Sequence, residues 1–237
     1  MTAERWTRTV RHQLGLGRLL PLGGPRDGTW ISEEAAEAVL RRAAVELRGV
    51  RLDGLRMALA DPEDVQEPAV PPPPSALPPG ALRVTAQFAA TATAPLPATA
   101  ALVRTTLAAA ADERLGLRVT EVDLQVTALL DEDPEPAPVR EPEPPYAAAE
   151  PGSDDESRAA SAALSVVGVA HLTGGLGRAV QLEERQAEGA LPHRHARVEL
   201  AVEPGHRPSD VARQVRTAVR DALPDRPTVA VLVTAVG

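Results

Sequence analysis

Cysteine is absent from the 237 residues, which removes disulfides, thiolate zinc sites and cysteine nucleophiles and fits a reducing compartment. Lysine is absent too. All 25 basic residues are arginine, so neither a Schiff-base lysine nor the lysine of a phosphate-binding loop is available. Aromatic residues are scarce: Trp6, Trp30, Phe88 and Tyr146 are the full set. Cores must then be built from Val, Leu and Ala, which bury less area per side chain than rings do. No apolar stretch approaches the roughly 18 residues of a membrane span, and the basic N-terminus lacks the apolar run of a signal peptide. The expected location is cytoplasmic, or peripheral to the inner face of the membrane.

What is abundant is Ala, Arg and Pro. The arginine excess is the composition that a GC-rich coding genome produces, although the bidentate guanidinium would also suit phosphate or carboxylate recognition. The net charge of −8 sits in one place. Between Asp131 and Glu156 ten acids face Arg140 alone, giving −9, and the rest of the chain holds 24 Arg against 23 acids, close to +1. The remainder therefore has no field to recruit a polyanion, and nucleic acid is not expected as a partner. Proline and self-repelling charge mark residues 131–155 as an extended linker. A second proline-rich stretch, residues 61–80, favours polyproline II and reads as a spacer, with a docking site for a proline-reading partner as the alternative.

The hydrophobic pattern places helices and strands on either side of these breaks. Ser32 is an N-cap before Glu33 and Glu34, and Ala36, Val39, Leu40, Ala43 and Leu47 make one helical face that Gly49 terminates. Val50 and Leu52, then Leu55, Met57 and Leu59, continue as extended chain. Val84, Ala86 and Phe88 alternate as a strand. Leu96 and Pro97 open a helix with Val103, Leu107, Ala111 and Leu115 on one face, Gly116 stops it, and Val122, Leu124, Val126 and Ala128 alternate again.

The same order recurs after the linker. Ser153 and Glu156 have capping-box spacing. AALSVVGV from Ala162 to Val169 aligns with AAVELRGV from Ala43 to Val50, matching Gly168 to Gly49. ARVELAV from Ala196 aligns with LRVTAQF from Leu82, setting Val198, Leu200 and Val202 against Val84, Ala86 and Phe88. A helix entered at Pro208 carries Val211, Val215, Val219 and Leu223, and VAVLVTAV from Val229 aligns with VDLQVTAL from Val122. Four ordered matches point to a duplicated unit. The expected fold is α+β: two tandem two-layer units, each a three- to four-stranded sheet covered on one face by two helices, with the other face partly open. The expected divisions are a basic leader over residues 1–28, a first unit over 29–130 containing the proline-rich insertion 61–80, the linker 131–155, and a second unit over 156–237, the two units folding independently.

An Ala-rich helix ending in Gly-Val, a strand, then strand, helix and a Val-rich closing strand ending in VTA resembles the alkaline-shock and envelope-stress-response protein family of bacteria. The chain looks like an actinobacterial member with two such units. The resemblance implies a small, non-enzymatic cytosolic protein, with no catalytic residues to carry over. It also implies protein partners, among them a membrane-anchor protein or homologous stress proteins, with self-association open.

No catalytic, cofactor or metal residue is assigned. His193 and His195 could share a strand face and hold a metal, but no third ligand is evident, and a solvated strand start is the preferred reading. His12, His171 and His206 are isolated, without a Ser nucleophile and acid to complete a triad. Gly174 to Gly177, GGLG, has the form of a backbone-clamping loop of RNA-binding domains, with a hairpin turn preferred. HQLGLGRLLPLGG lacks the strand that would precede a phosphate loop and reads as an irregular connection. In the leader, Trp6, Val10 and Leu14 share a face among Arg5, Arg8, Arg11 and Arg18, and docking on the first unit is preferred over lipid. The functional expectation is a scaffold or accessory protein in bacterial envelope or stress physiology, with RNA binding by the same small units as the alternative.

Overall fold

The structure is a computed structural model and describes residues 17–134, 151–185 and 192–237. Its elements run β1 (Leu19–Pro21), β2 (Thr29–Ser32), α1 (Glu33–Val45), β3 (Val50–Leu59), β4 (Leu82–Thr91), α2 (Leu96–Ala109), β5 (Val119–Leu130), α3 (Asp154–Leu164), β6 (Val169–Leu172), β7 (Val180–Arg185), β8 (His193–Val202), α4 (Pro208–Ala222) and β9 (Thr228–Val236). The architecture is α+β with two mixed sheets and four helices.

Local chemistry accounts for the helix ends. Ser32 is extended and its Oγ accepts from the Ala35 N–H at 3.2 Å, while Glu33 and Glu34 lie in the dipole-favoured first turn of α1. The helix stops at Val45, earlier than Gly49, and Gly49 turns the chain into β3 at φ +68 with its Cβ position 2.5 Å from Thr91 Oγ1. Gly168 does the same after α3, at φ +94 against His206 and Val211. A side chain fits neither site. Ser153 caps α3 as its spacing predicts, accepting from Glu156 N–H at 3.2 Å. α2 continues as a π-helical turn, Ala110–Leu115, to Gly116, and α4 enters through Pro208 at its first turn.

One sheet has the order β3-β4-β5, with β4 antiparallel to β3 and parallel to β5. Its β3 is a single strand, and the change of phase from Val50 and Leu52 to Leu55, Met57 and Leu59 is a bulge at Asp53. The other sheet has six strands in the order β1-β2-β9-β8-β6, with β7 also on β8. β6 and β7 take opposite ends of β8, both antiparallel, and β9 is parallel to it. Helix, antiparallel edge, central strand, helix and parallel strand therefore occur in the same order in both halves.

Strand registers correct the alignment of β4 with β8 by two residues. Val50 pairs with Ala90 and Val169 with Val202, whereas Phe88 pairs with Val126 and Leu200 with Val233. Phe88 thus corresponds to Leu200 and Ala90 to Val202. The alternation of Ala and Val reads equally well in either register, which is why sequence alone slips. The register shift in the parallel pair falls at Phe88/Ala89 and at Leu200/Ala201, the same place in both halves.

Three expectations differ from what is observed. Residues 19–28, expected as leader and irregular connection, and residues 29–32, expected in the first unit, are placed differently: β1 and β2 form a hairpin, and β2 joins the edge of β9 in parallel, Ile31 opposite Val233. Thr29–Ser32 therefore belongs by pairing to the sheet of the second half. Residues 61–80 are not a spacer, because Val70 and Ala76 pack against Leu19, Trp30, Ala230 and Leu232 on the outer face of the six-stranded sheet. Trp30 Nε1 donates to the Leu77 carbonyl at 3.1 Å there, so this face is covered rather than open. Lastly, the halves are not independent. One apolar cluster takes in all four helices and the inner faces of both sheets. Ser32 Oγ donates to the Thr234 carbonyl at 3.2 Å, Arg207 donates to the Asp112 carbonyl, and Gly116 lies against Ser209 where a Cβ would meet its Oγ. The leader residues Trp6, Val10, Leu14, Arg5, Arg8 and Arg11, and linker residues 135–150, lie outside the described residues; Arg18 pairs with Glu33 at 3.0 Å.

A shared core changes what a core charge does. Val215 is fully buried beside the residues of β8 and β9, and Asp at that position places an unpaired charge in an apolar interior at a cost of several kcal/mol, comparable to a domain's stability. Val215→Asp is expected to abolish folding of the whole chain in denaturant titrations; a surviving folded first half would show that the halves are separable. A specific protease site engineered near residue 140 is expected, after cleavage, to leave two fragments that co-elute on gel filtration, and separate folded fragments would contradict the shared core.

Candidate functional site

Alternation along β8 sends Val198, Leu200 and Val202 to the helices and His195, Arg197 and Glu199 to the outer face. An outer row on an antiparallel edge is ordinarily solvated. On the central strand β8 Glu199 is nevertheless buried, because the chain between β6 and β7 loops over it. Thr173 N–H donates to the Glu199 carbonyl at 3.0 Å, and Glu199 N–H donates to the Ala179 carbonyl at 2.8 Å. Residues 174–178 are thereby extruded opposite one residue of β8, and they fold back across its side chain.

Glu199 has no solvent exposure. Its carboxylate accepts from Leu176 N–H at 3.0 Å, with the Gly175 amide also lowering its pKa, and its Oε1 stands 3.5 Å from Arg197 Nε. Arg197 Nε is buried without an aligned hydrogen bond, although its Nη2 donates to Gln181 Oε1 at 2.7 Å. Burial pushes the Glu199 carboxyl up to about 7, against the lowering pull of Arg197 and the two amides. His195 lies two residues back from Arg197, its Nδ1 2.8 Å from Thr228 Oγ1. Burial first, and then the Arg185 charge, lowers its imidazole to about 4. Thr173 and Thr234 close the row, their hydroxyls 2.7 Å apart.

The Gly174–Gly177 turn is neither a hairpin nor a free clamp. β6 and β7 do not pair with each other, and the loop interrupts one edge strand. The amides that would cradle a phosphate hold the chain's own carboxylate. His193 is exposed at the strand start and His195 is buried, so strand spacing put them on one face without giving them one environment. Among the described residues no three His, Asp or Glu side chains converge as metal ligands. His206 lies 3.8 Å from Glu203. Ser209 Oγ is buried without a hydrogen-bond partner, against Gly116 and Arg207 rather than a base. The row thus has a latch, two titrating groups and one hydroxyl, that of Thr228, beside the His195 imidazole. Sequence reading missed Glu199, taking Arg197 to Val202 for a half-buried strand; the available signal was the GGLG interruption in an otherwise alternating edge strand.

The face of β3-β4-β5 equivalent to this row is open and self-paired. Arg51 bonds Asp53 at 2.9 Å and holds its carboxyl below the usual range, with Thr127 adding a second bond. Arg83 pairs with Glu121 at 2.6 Å and Asp123 at 3.4 Å, and Gln87 donates to Gln125 at 3.1 Å. Comparison with protein-family models, curated proteins and solved structures gives no match.

The two buried titrating groups have opposite linkage. Glu199, with its folded pKa raised, contributes stability that is full below about 4.5 and is lost as pH rises through about 7. His195, with its folded pKa lowered, contributes stability that is full above about 6.5 and is lost as pH falls through about 4. Each effect reaches about 3 kcal/mol at 1.36 kcal/mol per pKa unit, so the two largely offset between pH 7 and 4.5. Glu199→Gln is expected to make unfolding free energy fall with acidification relative to the native chain, and His195→Gln to make it rise. Urea titrations at pH 7.5, 6 and 5 that gave parallel curves for all three proteins would remove this linkage.

Proposed function

We propose that the chain is a non-enzymatic scaffold or accessory protein. In this reading it consists of two tandem copies of one small unit of the alkaline-shock and envelope-stress-response type. It acts through protein contacts in the bacterial cytoplasm or at the inner face of the membrane. The observation that carries the reading is the repeated register: the same element order, the same antiparallel and parallel partners of the central strand, and the same register shift at Phe88/Ala89 and Leu200/Ala201. Unrelated halves have no reason to share an irregularity at one position. The polar clusters support a structural rather than catalytic use of the residues, since the buried carboxylate holds a loop. No helix among the described residues is long and apolar enough to cross a membrane.

RNA binding is the less supported alternative. A backbone-reading surface needs several cations free to replace counterions, and on the open face Arg51 and Arg83 are committed to Asp53, Glu121 and Asp123, which leaves the exposed Arg56. Crosslinked pull-down from cells, before and after envelope stress, is expected to recover membrane-anchor or stress proteins and little nucleic acid. RNA retained at low salt and released by roughly 0.2 M would favour the alternative instead.

A further inference from the structure

Sheet edges offer unpaired backbone groups and are normally shielded. Three of the four edges here have visible devices. On β1, Leu19 exchanges bonds with Ser75 and Leu77 of the proline-rich segment. On β3, Glu33 accepts from Met57 N–H at 3.0 Å, and Arg41 donates to the carbonyls of Leu52 and Asp53 at 3.1 Å each. The β6 and β7 edge is broken by the extruded loop, and Glu156 accepts from Leu182 N–H at 3.3 Å. The fourth edge is β5, 12 residues long without proline, and among the described residues only Arg104 touches its backbone, donating to the Val122 carbonyl at 3.2 Å. Val126 and Leu129 on this strand are 39% and 61% exposed.

The second half shows what the corresponding edge does. Strand β9 is the counterpart of β5, with Val229, Val231 and Val233 in the places of Val122, Leu124 and Val126. That edge is occupied. β2 pairs along it in parallel, and Val231 N–H donates outward to the Gly28 carbonyl at 3.0 Å. By correspondence, and because the Val122 carbonyl already faces the edge, Leu124 and Val126 turn their N–H and C=O groups outward in the same phase.

We infer that the free edge of β5 is an interface at which a second copy of this chain adds its own β5, antiparallel, about a two-fold axis at Leu124. Identical strands closing a dimer must run antiparallel, and this register brings the outward groups of Val122, Leu124 and Val126 opposite those of Val126, Leu124 and Val122 of the other copy. The exposed Val126 is then covered by Val122. On the outer face Glu121 lies opposite Thr127 and Asp123 opposite Gln125, so no acid lies directly opposite an acid, and the two Asp123 side chains are diagonal neighbours across the axis. Along α2, the row Pro97, Ala101, Arg104 and Ala108 flanks this edge and is otherwise made of small residues, leaving room for the other copy's helix. The pairing requires the edge geometry alone and holds whether or not the scaffold role does.

Gln125 provides the test, because it is exposed and its side chain bonds only Gln87. In sedimentation equilibrium of the full chain between about 1 and about 200 µM, a reversible dimer is expected. Gln125→Glu sets an acid against Asp123 twice per dimer and is expected to raise Kd about tenfold, whereas Gln125→Arg sets a cation there and is expected to lower it by a similar factor. Circular dichroism melts at a concentration low enough that both proteins are monomeric should be unchanged for Gln125→Glu, which keeps the acceptor for Gln87. A chain monomeric throughout that range, as it would be if its own residues 1–16 or 135–150 covered the strand, overturns the inference. So does a dimer whose Kd neither substitution moves.

Discussion

Parallel pairing of β2 with β9 ties residues 29–31 to residues 231–233 and closes the molecule across nearly its whole length. Ser32, at the end of that pairing, serves both partners at once, accepting from Ala35 N–H to start α1 and donating to the Thr234 carbonyl on β9. The helix that opens the first half is thus positioned by the last strand of the second. This tie brings α1 into contact with both β3 and β9 and permits the single apolar cluster. It also sets the place of the proline-rich segment, which needs β1 and Trp30 in position before it has a surface to cover.

The two halves use one arrangement of elements and finish its exposed parts differently. Where the second half buries its outer sheet face under the proline-rich segment and the extruded loop, the first leaves a face of paired Arg, Asp, Glu and Gln to water. The divergence is concentrated just after the first strand of each half: a long proline-rich excursion after β3, and a loop between β6 and β7. Both excursions end on the same face of the same sheet, so the first half's insertion covers the second half's outer side.

Much of the element order was legible in the sequence because it depends on local signals. Ser32, Gly49, Gly116, Ser153 and Pro208 punctuate helices wherever they occur, and the Val-rich alternations had no competing reading. The two-residue slip between β4 and β8 arose where Ala and Val alternate on both sides and neither register buries a polar group. The function of residues 61–80 was illegible for a different reason: polyproline composition reports a backbone preference and is silent about whether Val70 meets an apolar surface. Glu199 was missed because whether an outward-facing side chain is buried depends on a loop some twenty-five residues before it in the chain, and only the glycines hinted at it.

Scarcity of aromatic side chains explains why these long-range ties matter. Among the described residues Phe88 is the one aromatic residue in the main cluster and Trp30 anchors the smaller one; apart from Ile31 and Met57, the remaining buried apolar side chains are Val, Leu and Ala. At about 25 cal/mol per Å² of apolar surface, small side chains repay the ordering of their own backbone by a narrow margin. A half-sized unit with such a core would be marginal. Pooling both halves into one cluster raises the buried fraction without larger residues, and the β2 to β9 pairing is what holds the halves close enough to pool. On that reasoning each half supplies a weak layer, and the crossing of the N-terminal strand makes them one fold.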